Sequence, residues 1–183
     1  MRRMVSFMMT SADGYHADPG EALGWHNVDR EFSQFALAQL REAGTLVFGR
    51  VTYEGMAAFW PTPAGEQSDP DVAKAMNTTP KIVISRTLAQ ATWAGTQVVD
   101  AEQELARLKQ RPGKDIVIPG SSTLTASLLQ TGLLDELRIM VNPVILGQGR
   151  SLFAGAGMTT LKLLKTQQFT SGNVLLYYQP ITN

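Results

Sequence analysis

The sequence predicts one α/β domain over residues 1–183, built on a mixed sheet that is largely parallel, ends in an antiparallel hairpin and carries helices on both faces. Short apolar runs alternate with segments of helical periodicity through the first two thirds of the chain, which is typical of βα units around a parallel sheet. The run 116–118 is β-branched and uncharged, as expected of a strand covered on both faces. The strand-like runs 161–169 and 174–179 flank a turn at 171–173, which predicts the hairpin.

Start and stop signals in the sequence define the expected helices and strands. Asp29 is a good N-cap and Gly44 a typical helix end, so a helix is expected between them. The segment 60–63 contains two prolines, which end a later helix and open a polar loop. Asp69 before Pro70 predicts a further helix start. The other expected elements are strands at 5–10, 45–48, 81–85, 97–99 and 116–118, alternating residues at 137–141, a helix over 50–59, a helix capped by Asp100, and one that carries Leu124 and ends at Gly132.

The composition excludes several classes of function. Sixteen basic residues balance sixteen acidic ones, so nucleic acid is not expected as a partner. The absence of cysteine removes disulfides, thiolate catalysis and cysteine-based zinc sites, and with only His16 and His26 present no metal site is expected. No stretch approaches the roughly 20 apolar residues that span a bilayer, and the apolar N-terminal run is soon followed by Asp13. We therefore expect a cytoplasmic protein without membrane contact.

The most informative segment is 46–54, where an apolar run stops at Gly49 and Arg50 opens helix-forming sequence. A strand that ends where a helix begins offers free backbone N–H groups and the helix dipole to an anion, and an arginine there can add a bidentate contact to phosphate. A second junction of this kind lies at 116–123, around Gly120. Two such junctions indicate a ligand with several phosphates. A surface ion pair of Arg50 and a close helix–sheet contact at Gly120 are the alternatives.

Standard nucleotide and hydrolase motifs do not account for these junctions. The glycines at 147 and 149 are not followed by the last glycine of G-x-G-x-x-G, and a bend before a later strand explains them equally well. There is no G-x-x-x-x-G-K-[ST] sequence, and residues 120–124 lack the second glycine of a nucleophile elbow.

Motifs along the chain resemble a known family. Residues 48–54 are similar to the G-R-x-T element of dihydrofolate reductases, and residues 142–153 resemble more specifically the reductase domain at the C-terminus of bifunctional riboflavin-biosynthesis proteins, the RibD C-terminal family. Residues 13–15, 81–88 and 132–137 fit the same pattern in the same order. The resemblance implies a dihydrofolate-reductase-like fold. Because no cysteine is present for the zinc site of the deaminase half, a stand-alone reductase domain is expected.

The resemblance also implies NADPH as the cofactor, with Arg50 close to its 2′-phosphate. The implied substrate is a pteridine- or pyrimidine-like ring such as the phosphoribosylated aminopyrimidine 5-amino-6-(5-phosphoribosylamino)uracil. The residues implied in cofactor binding all follow strands; they are Gly49, Arg50, Val51 and Thr52 at the phosphate, Ser85, Arg86 and Thr87 at the adenosine end, and Gly120, Ser121, Ser122, Thr123 and Leu124 over the pyrophosphate.

The catalytic residues are less defined by the sequence. If a general acid exists, Asp29 ranks first and His26 second, and water is a further source of the proton. Asp29 is also explained as a helix cap. Neither Asp29 nor Glu31 has the spacing from the tryptophan at 25 that folate reduction requires, so folate activity is not expected. The residues assigned to the substrate pocket are Asp13, His16, Trp25 and Phe32. The alternatives are a simple turn at Asp13, a loop-filling side chain at Trp25 and a core position on the helix for Phe32.

Two further expectations concern function and assembly. A non-catalytic module that binds a dinucleotide or a flavin-like ligand is the alternative to a reductase. A homodimer is expected, because dimers are the commonest soluble assemblies, and the antiparallel C-terminal strand is a suitable seam.

Overall fold

The computed structural model describes residues 1–20, 23–100 and 103–181. Within them the chain forms ten strands and six helices. The strands are β1 Met4–Ser11, β2 Tyr15–Ala17, β3 Ala43–Gly49, β4 Lys81–Ile84, β5 Thr96–Val99, β6 Asp115–Pro119, β7 Glu136–Asn142, β8 Arg150–Ser151, β9 Thr160–Gln168 and β10 Val174–Ile181. The helices are α1 Arg30–Glu42, α2 Arg50–Phe59, α3 Pro63–Ser68, α4 Pro70–Thr78, α5 Gln103–Gln110 and α6 Ser122–Gln130.

Eight of the strands form one sheet in the order β5-β4-β3-β6-β1-β7-β10-β9. Neighbouring strands from β5 to β7 are parallel, whereas β10 is antiparallel to both β7 and β9. The carboxyl ends of the parallel strands therefore lie along one side of the sheet, which we call the carboxyl edge. These strands include β1, β3, β4, β6 and β7. This topology confirms the predicted mixed sheet with its antiparallel C-terminal hairpin.

Helices cover the sheet on both faces, as the sequence predicts. Consecutive residues of a strand point to opposite faces, and in β3 they join different cores. Val47 packs with residues of α5 and α6, whereas Leu46 and Phe48 pack with residues of α1, α2 and α4. These three side chains are fully buried because each face has its own helical layer.

The structure differs from the predictions in three places. The segment predicted as a polar loop after α2 contains α3, because the hydroxyl of Thr62 accepts from the N–H of Gly65 and proline occupies the start of the helix. Helix α1 ends before Gly44, since β3 begins at Ala43. Strands β2 and β8 form a small separate sheet that the sequence did not indicate. The predicted cap at Asp100 concerns a helix start that lies outside the described residues.

Lys81 is a buried cation that closes the end of α4. It is 1% exposed, and its amino group donates to the carbonyls of Met76, Asn77 and Thr79 at 2.9, 3.1 and 2.8 Å. Burial lowers the pKa of Lys81 to about 8, so the amine is still largely charged at neutral pH. The amine also lies 4.6 Å from the centre of the Trp93 ring. One side chain thus supplies donors to carbonyls that the helix leaves without partners.

We expect Lys81→Met to lower the free energy of unfolding by about 2–4 kcal/mol, because it leaves buried carbonyls without a donor. Lys114→Met is a matched control, since Lys114 donates to the carbonyl of Arg41 near the end of α1 at an exposed position. Its loss should stay below about 0.5 kcal/mol. Chemical denaturation measures both, and equal losses would contradict the role of burial.

Candidate functional site

The two predicted anion junctions lie against each other at the carboxyl edge. Strands β3 and β6 are neighbours, so the loops that follow them meet. The N–H of Gly49 donates to the hydroxyl of Ser121 at 3.0 Å. A Cβ atom on Gly120 would stand 3.2 Å from Cγ2 of Thr52, a tighter contact than side chains normally make. The junctions therefore form one continuous surface, which we call the paired junction.

Ser121 has an unusual backbone conformation. Its φ and ψ are 62° and 61°, and it is the only non-glycine residue with a positive φ among those that the structure describes. The left-handed conformation costs a residue with a Cβ about 1–2 kcal/mol. The hydrogen bond from Gly49 offsets part of this cost. Ser121 thus acts as a positioning residue that holds the two junctions together.

Both helices of the paired junction begin without a capping side chain. Gly49 caps α2 and has no side chain to offer, and Ser121 makes no side-chain cap bond to α6 within the described structure. Early N–H groups of these helices therefore stay available to an anion, with the positive ends of two helix dipoles behind them. Val51 in the first turn of α2 is 60% exposed, so the approach to this surface is open.

Arg50 stands at the rim of the paired junction in an ion pair. Its Nη1 atom lies 2.9 and 3.1 Å from the two carboxylate oxygens of Glu54, one helical turn along α2. Both side chains are about half exposed, at 45% and 47%. The surface ion pair that the sequence left open is therefore present. An exposed pair of this kind is worth at most about 1 kcal/mol, so a doubly charged anion can compete for the arginine.

The segment after β4 lies beside Arg50, because β4 is the neighbour of β3. The hydroxyl of Ser85 accepts from the N–H groups of Thr87 and Leu88 at 3.2 and 2.9 Å. Ser85 thus orders the turn that carries Arg86 and Thr87, whose side chains are exposed. The structure brings this predicted adenosine end to the same side of the sheet as the paired junction.

Three asparagines fix the loop that precedes α1 on the other side of β1. The N–H of Asn27 donates to Oδ1 of Asn142 at 2.9 Å, and its carbonyl accepts from Nδ2 of Asn173 at 2.9 Å. Its side chain donates to the carbonyl of Ser171 at 2.8 Å. Asn142 and Asn173 are fully buried. The loop with Trp25 and His26 is therefore tied to the end of β7 and to the hairpin turn.

The two candidate proton donors lie in this loop. Oδ1 of Asp29 accepts from the N–H of Phe32 at 2.8 Å, which confirms the predicted N-cap of α1. Nε2 of His26 is buried without a hydrogen-bond partner in the described residues. Burial, with a smaller effect from His16, lowers the pKa of His26 to about 4. His26 is thus neutral at pH 7 and packs edge-on to Trp25, with 4.4 Å between ring centres.

Asp13 and His16 tie the turn after β1 to its surroundings. The carboxylate of Asp13 accepts from the N–H groups of Leu146 and Gly147 at 3.1 and 2.7 Å. A hydrogen bond from Ser11, assisted by these N–H groups, holds the pKa of Asp13 below its usual value. Nε2 of His16 lies 3.1 Å from the hydroxyl of Ser122 at the start of α6. The β2 segment therefore spans from the loop after β7 to the paired junction.

A cavity of about 340 Å³ opens where β2, β8 and the start of α6 meet. It is lined by His16, Ser122, Thr123, Gly149, Arg150, Ser151, Leu152 and Ala154. Hydroxyl, imidazole and guanidinium groups line it together with glycine backbone and the apolar side chains of Leu152 and Ala154, so its lining is mixed. The glycines at 147 and 149 belong to the loop that builds this wall.

Phe32 joins an aromatic cluster on the α1 face of the sheet. Its ring centre lies 6.3 Å from that of Phe7 and 6.4 Å from that of Phe35. Phe35 in turn lies 6.0 Å from Phe169. Phe32 is only partly buried, so this end of the cluster is accessible to solvent.

Sequence reasoning missed the three asparagines and the tie made by Asp13. Asn142 and Asn173 were interpreted as parts of a strand and a turn, although a polar amide at a buried strand end indicates a hydrogen-bonding role.

Within the described part of the chain, no three histidine, aspartate or glutamate side chains are placed to hold a metal ion. No helix of that part is long and apolar enough to cross a membrane.

The strain at Ser121 gives a testable order of stabilities. Ser121→Ala removes the acceptor of Gly49 and keeps the left-handed strain, so the free energy of unfolding should fall by about 1–2 kcal/mol. Ser121→Gly removes the same bond but relieves the strain, so its loss should be smaller. At Ser122, which is helical, the order should reverse because glycine weakens a helix. Denaturant titration compares the four variants, and the same order at both positions would contradict strain at Ser121.

The buried imidazole of His26 makes stability depend on pH. Its pKa of about 4 lies below the ordinary value of 6.5, so the folded state resists protonation. The free energy of unfolding therefore falls as pH drops below 6.5 and stops falling near 4. Between about pH 7.5 and about pH 5, the free energy of unfolding should fall by about 1 kcal/mol less in His26→Phe than in the wild type. This value is discounted because the side chain of His26 is partly exposed. Unchanged acid sensitivity in the variant would rule out a buried neutral His26.

Solved structures share this architecture. A putative riboflavin biosynthesis protein from Shewanella sp. PV-4 is 22% identical and superposes with a TM-score of 0.74, covering 98% of this chain and 99% of its own. A dihydrofolate reductase from Enterococcus faecalis, solved with NADP(H), is 18% identical with a TM-score of 0.68, covering 97% of this chain and 96% of its own. At these identities the likeness establishes the fold, which is dihydrofolate-reductase-like.

Sequence comparison adds the family. A 2,5-diamino-6-ribosylamino-4(3H)-pyrimidinone 5′-phosphate reductase from Methanothermobacter thermautotrophicus is 33% identical over 97 residues, which cover 50% of this chain and 45% of that protein. The family model of the RibD C-terminal domain matches residues 2–175. Because this match spans nearly the whole chain, the protein belongs to the RibD C-terminal domain family.

Proposed function

We propose that the protein is an NADPH-dependent reductase that transfers hydride to a pteridine- or pyrimidine-like ring, in the manner of a 5-amino-6-(5-phosphoribosylamino)uracil reductase. The paired junction carries this proposal, because the bond between Gly49 and Ser121 sets two uncapped helix N-termini side by side. A dinucleotide is a ligand with phosphates at more than one point. The family of this protein includes reductases, and the dihydrofolate reductase with the same fold was solved with NADP(H).

The residues of the paired junction fit such a cofactor. The backbone N–H groups from 121 to 124 at the start of α6 would hold the pyrophosphate, and those of 50 to 52 the neighbouring phosphate. Arg50 would bind the 2′-phosphate, and the turn at 85–87 would flank the adenosine. The tight approach of Gly120 to Thr52 is the close helix–sheet contact that the sequence left open, so this glycine does not by itself favour a ligand. When bound, the nicotinamide ring supplies the hydride.

The substrate would lie between β1 and the loop before α1. Trp25 and the exposed end of the cluster around Phe32 offer flat apolar surface to a planar ring, and Asp13 and His16 hold the turn that closes the pocket. The pyrimidinone phosphate reductase among the relatives supports a pyrimidine substrate. This loop is rigidly placed by Asn27, which favours a fixed orientation of the ring.

The proton that accompanies the hydride has three possible sources. Asp29 stays the first candidate, because its cap bond uses only Oδ1. His26 is second, and as a neutral imidazole it could donate only through an N–H group. Water is the third source. The proposal does not depend on which of them acts.

We also propose a cytoplasmic homodimer. The balanced charge and the absence of cysteine suit the cytoplasm. The C-terminal strand β10, which the sequence suggested as the seam, is wrong for this role because it lies inside the sheet between β7 and β9. The exposed edge next to it is β9, on which Leu163 and Leu164 are 50% and 47% exposed. An edge strand with exposed leucines is a suitable seam for a second copy.

Binding of NADPH and NADH to wild type and to Arg50→Ala tests the cofactor assignment. We expect the variant to lose about 10- to 100-fold in affinity for NADPH, because a charge-assisted bond to phosphate is worth about 1.5–3 kcal/mol, and to bind NADH almost unchanged. Arg107→Ala is the control, since Arg107 forms an exposed ion pair on α5 with Glu104. Titration of cofactor fluorescence measures the affinities.

The same experiment decides between the reductase and the module that only binds a ligand. Oxidation of bound NADPH is followed with a panel of pteridine, pyrimidine and flavin substrates. Oxidation with any ring of the panel supports the reductase, and tight binding with no oxidation supports the binding module. Failure of wild type to bind NADPH refutes both.

A further inference from the structure

We propose that Glu54, through its ion pair with Arg50, lowers the preference of the site for a dinucleotide with a 2′-phosphate over one with a 2′-hydroxyl. This inference rests on the proposed function, because it assumes that Arg50 faces the 2′ position of the adenosine ribose.

The geometry makes Glu54 a competitor for the arginine. Both carboxylate oxygens of Glu54 contact the same atom, Nη1 of Arg50, at 2.9 and 3.1 Å. The two residues stand four positions apart on α2, so the helix holds their side chains on one face. A phosphate that binds Arg50 must therefore share the guanidinium with Glu54 or displace it.

The two kinds of cofactor meet different electrostatics at this pair. A 2′-phosphate brings up to two negative charges next to the carboxylate of Glu54, and like charges at this distance repel. A 2′-hydroxyl brings no charge and can donate a hydrogen bond to a carboxylate, as acidic residues do with ribose in other dinucleotide sites. Glu54 consequently opposes the first cofactor, whereas Arg50 favours it, and neither side chain changes the affinity for the second cofactor by much. The balance of the pair sets the preference.

The partial exposure of the pair limits the size of the effect. Both side chains are close to half exposed, so water and salt screen their interaction. Glu54→Gln keeps the shape and removes the charge. We expect it to raise the affinity for NADPH by about three- to tenfold at low salt and to change that for NADH by less than about twofold. The gain should shrink as salt is added.

Glu104→Gln is the matched control, because Glu104 forms an exposed ion pair with Arg107 within α5 and is not part of the paired junction. It should leave both affinities unchanged. Fluorescence titration of NADPH and NADH against wild type and both variants gives the ratio of affinities. An unchanged ratio in Glu54→Gln, or an equal gain for both cofactors, overturns the inference.

A double variant tests whether Glu54 acts through Arg50. In an Arg50→Ala background, Glu54→Gln should raise NADPH affinity by a smaller factor than in wild type, since the arginine that it frees is gone. An equal factor in both backgrounds overturns the role of the ion pair. If wild type binds neither cofactor, the proposed function itself fails. If wild type binds NADPH and the ratio does not move, only the role of Glu54 fails.

Discussion

The hydrogen bond from Gly49 to Ser121 is the constraint on which the candidate site depends. It links the loops after β3 and β6, two strands that are neighbours in the sheet. Gly49 and Ser121 lie 72 residues apart in the chain. Through it two helix N-termini become parts of one surface. Ser121 accepts this bond from a left-handed conformation, and strain of this kind is concentrated at functional sites. The binding surface is thus prepared before any ligand arrives.

The two sides of the carboxyl edge are built by different means. On the β3 and β6 side, the backbone itself offers the binding groups, and side chains mainly hold the backbone in place. On the β1 and β7 side, buried amides hold the loop that carries Trp25 and His26. This division suits a family in which a common cofactor would meet variable substrates, because changes in the loop leave the backbone surface intact. The fold alone does not choose the substrate.

Features of the fold and the site could be predicted from the sequence where the interacting residues are close together along the chain. The junctions at Gly49 and Gly120 and the cap at Asp29 are local patterns, so the sequence was enough to locate them. Helix α3 was missed because proline and polar residues resemble a loop when the capping bond of Thr62 is not visible. The amide ties could not be predicted, since Asn27 meets partners 115 and 146 residues away. Glu54 as the ion-pair partner of Arg50 became visible only with side-chain geometry.

The three asparagines have a consequence for the order in which the protein matures. The loop with Asn27 is made early in synthesis, and the paired junction has all its parts once the start of α6 is complete. The amides that hold the loop arrive only with Asn142 at the end of β7 and Asn173 in the hairpin turn. Because a domain generally folds as one unit, the loop with Asn27 is fixed only when these last strands have been synthesised. The candidate site is therefore completed together with the C-terminal hairpin and not before it.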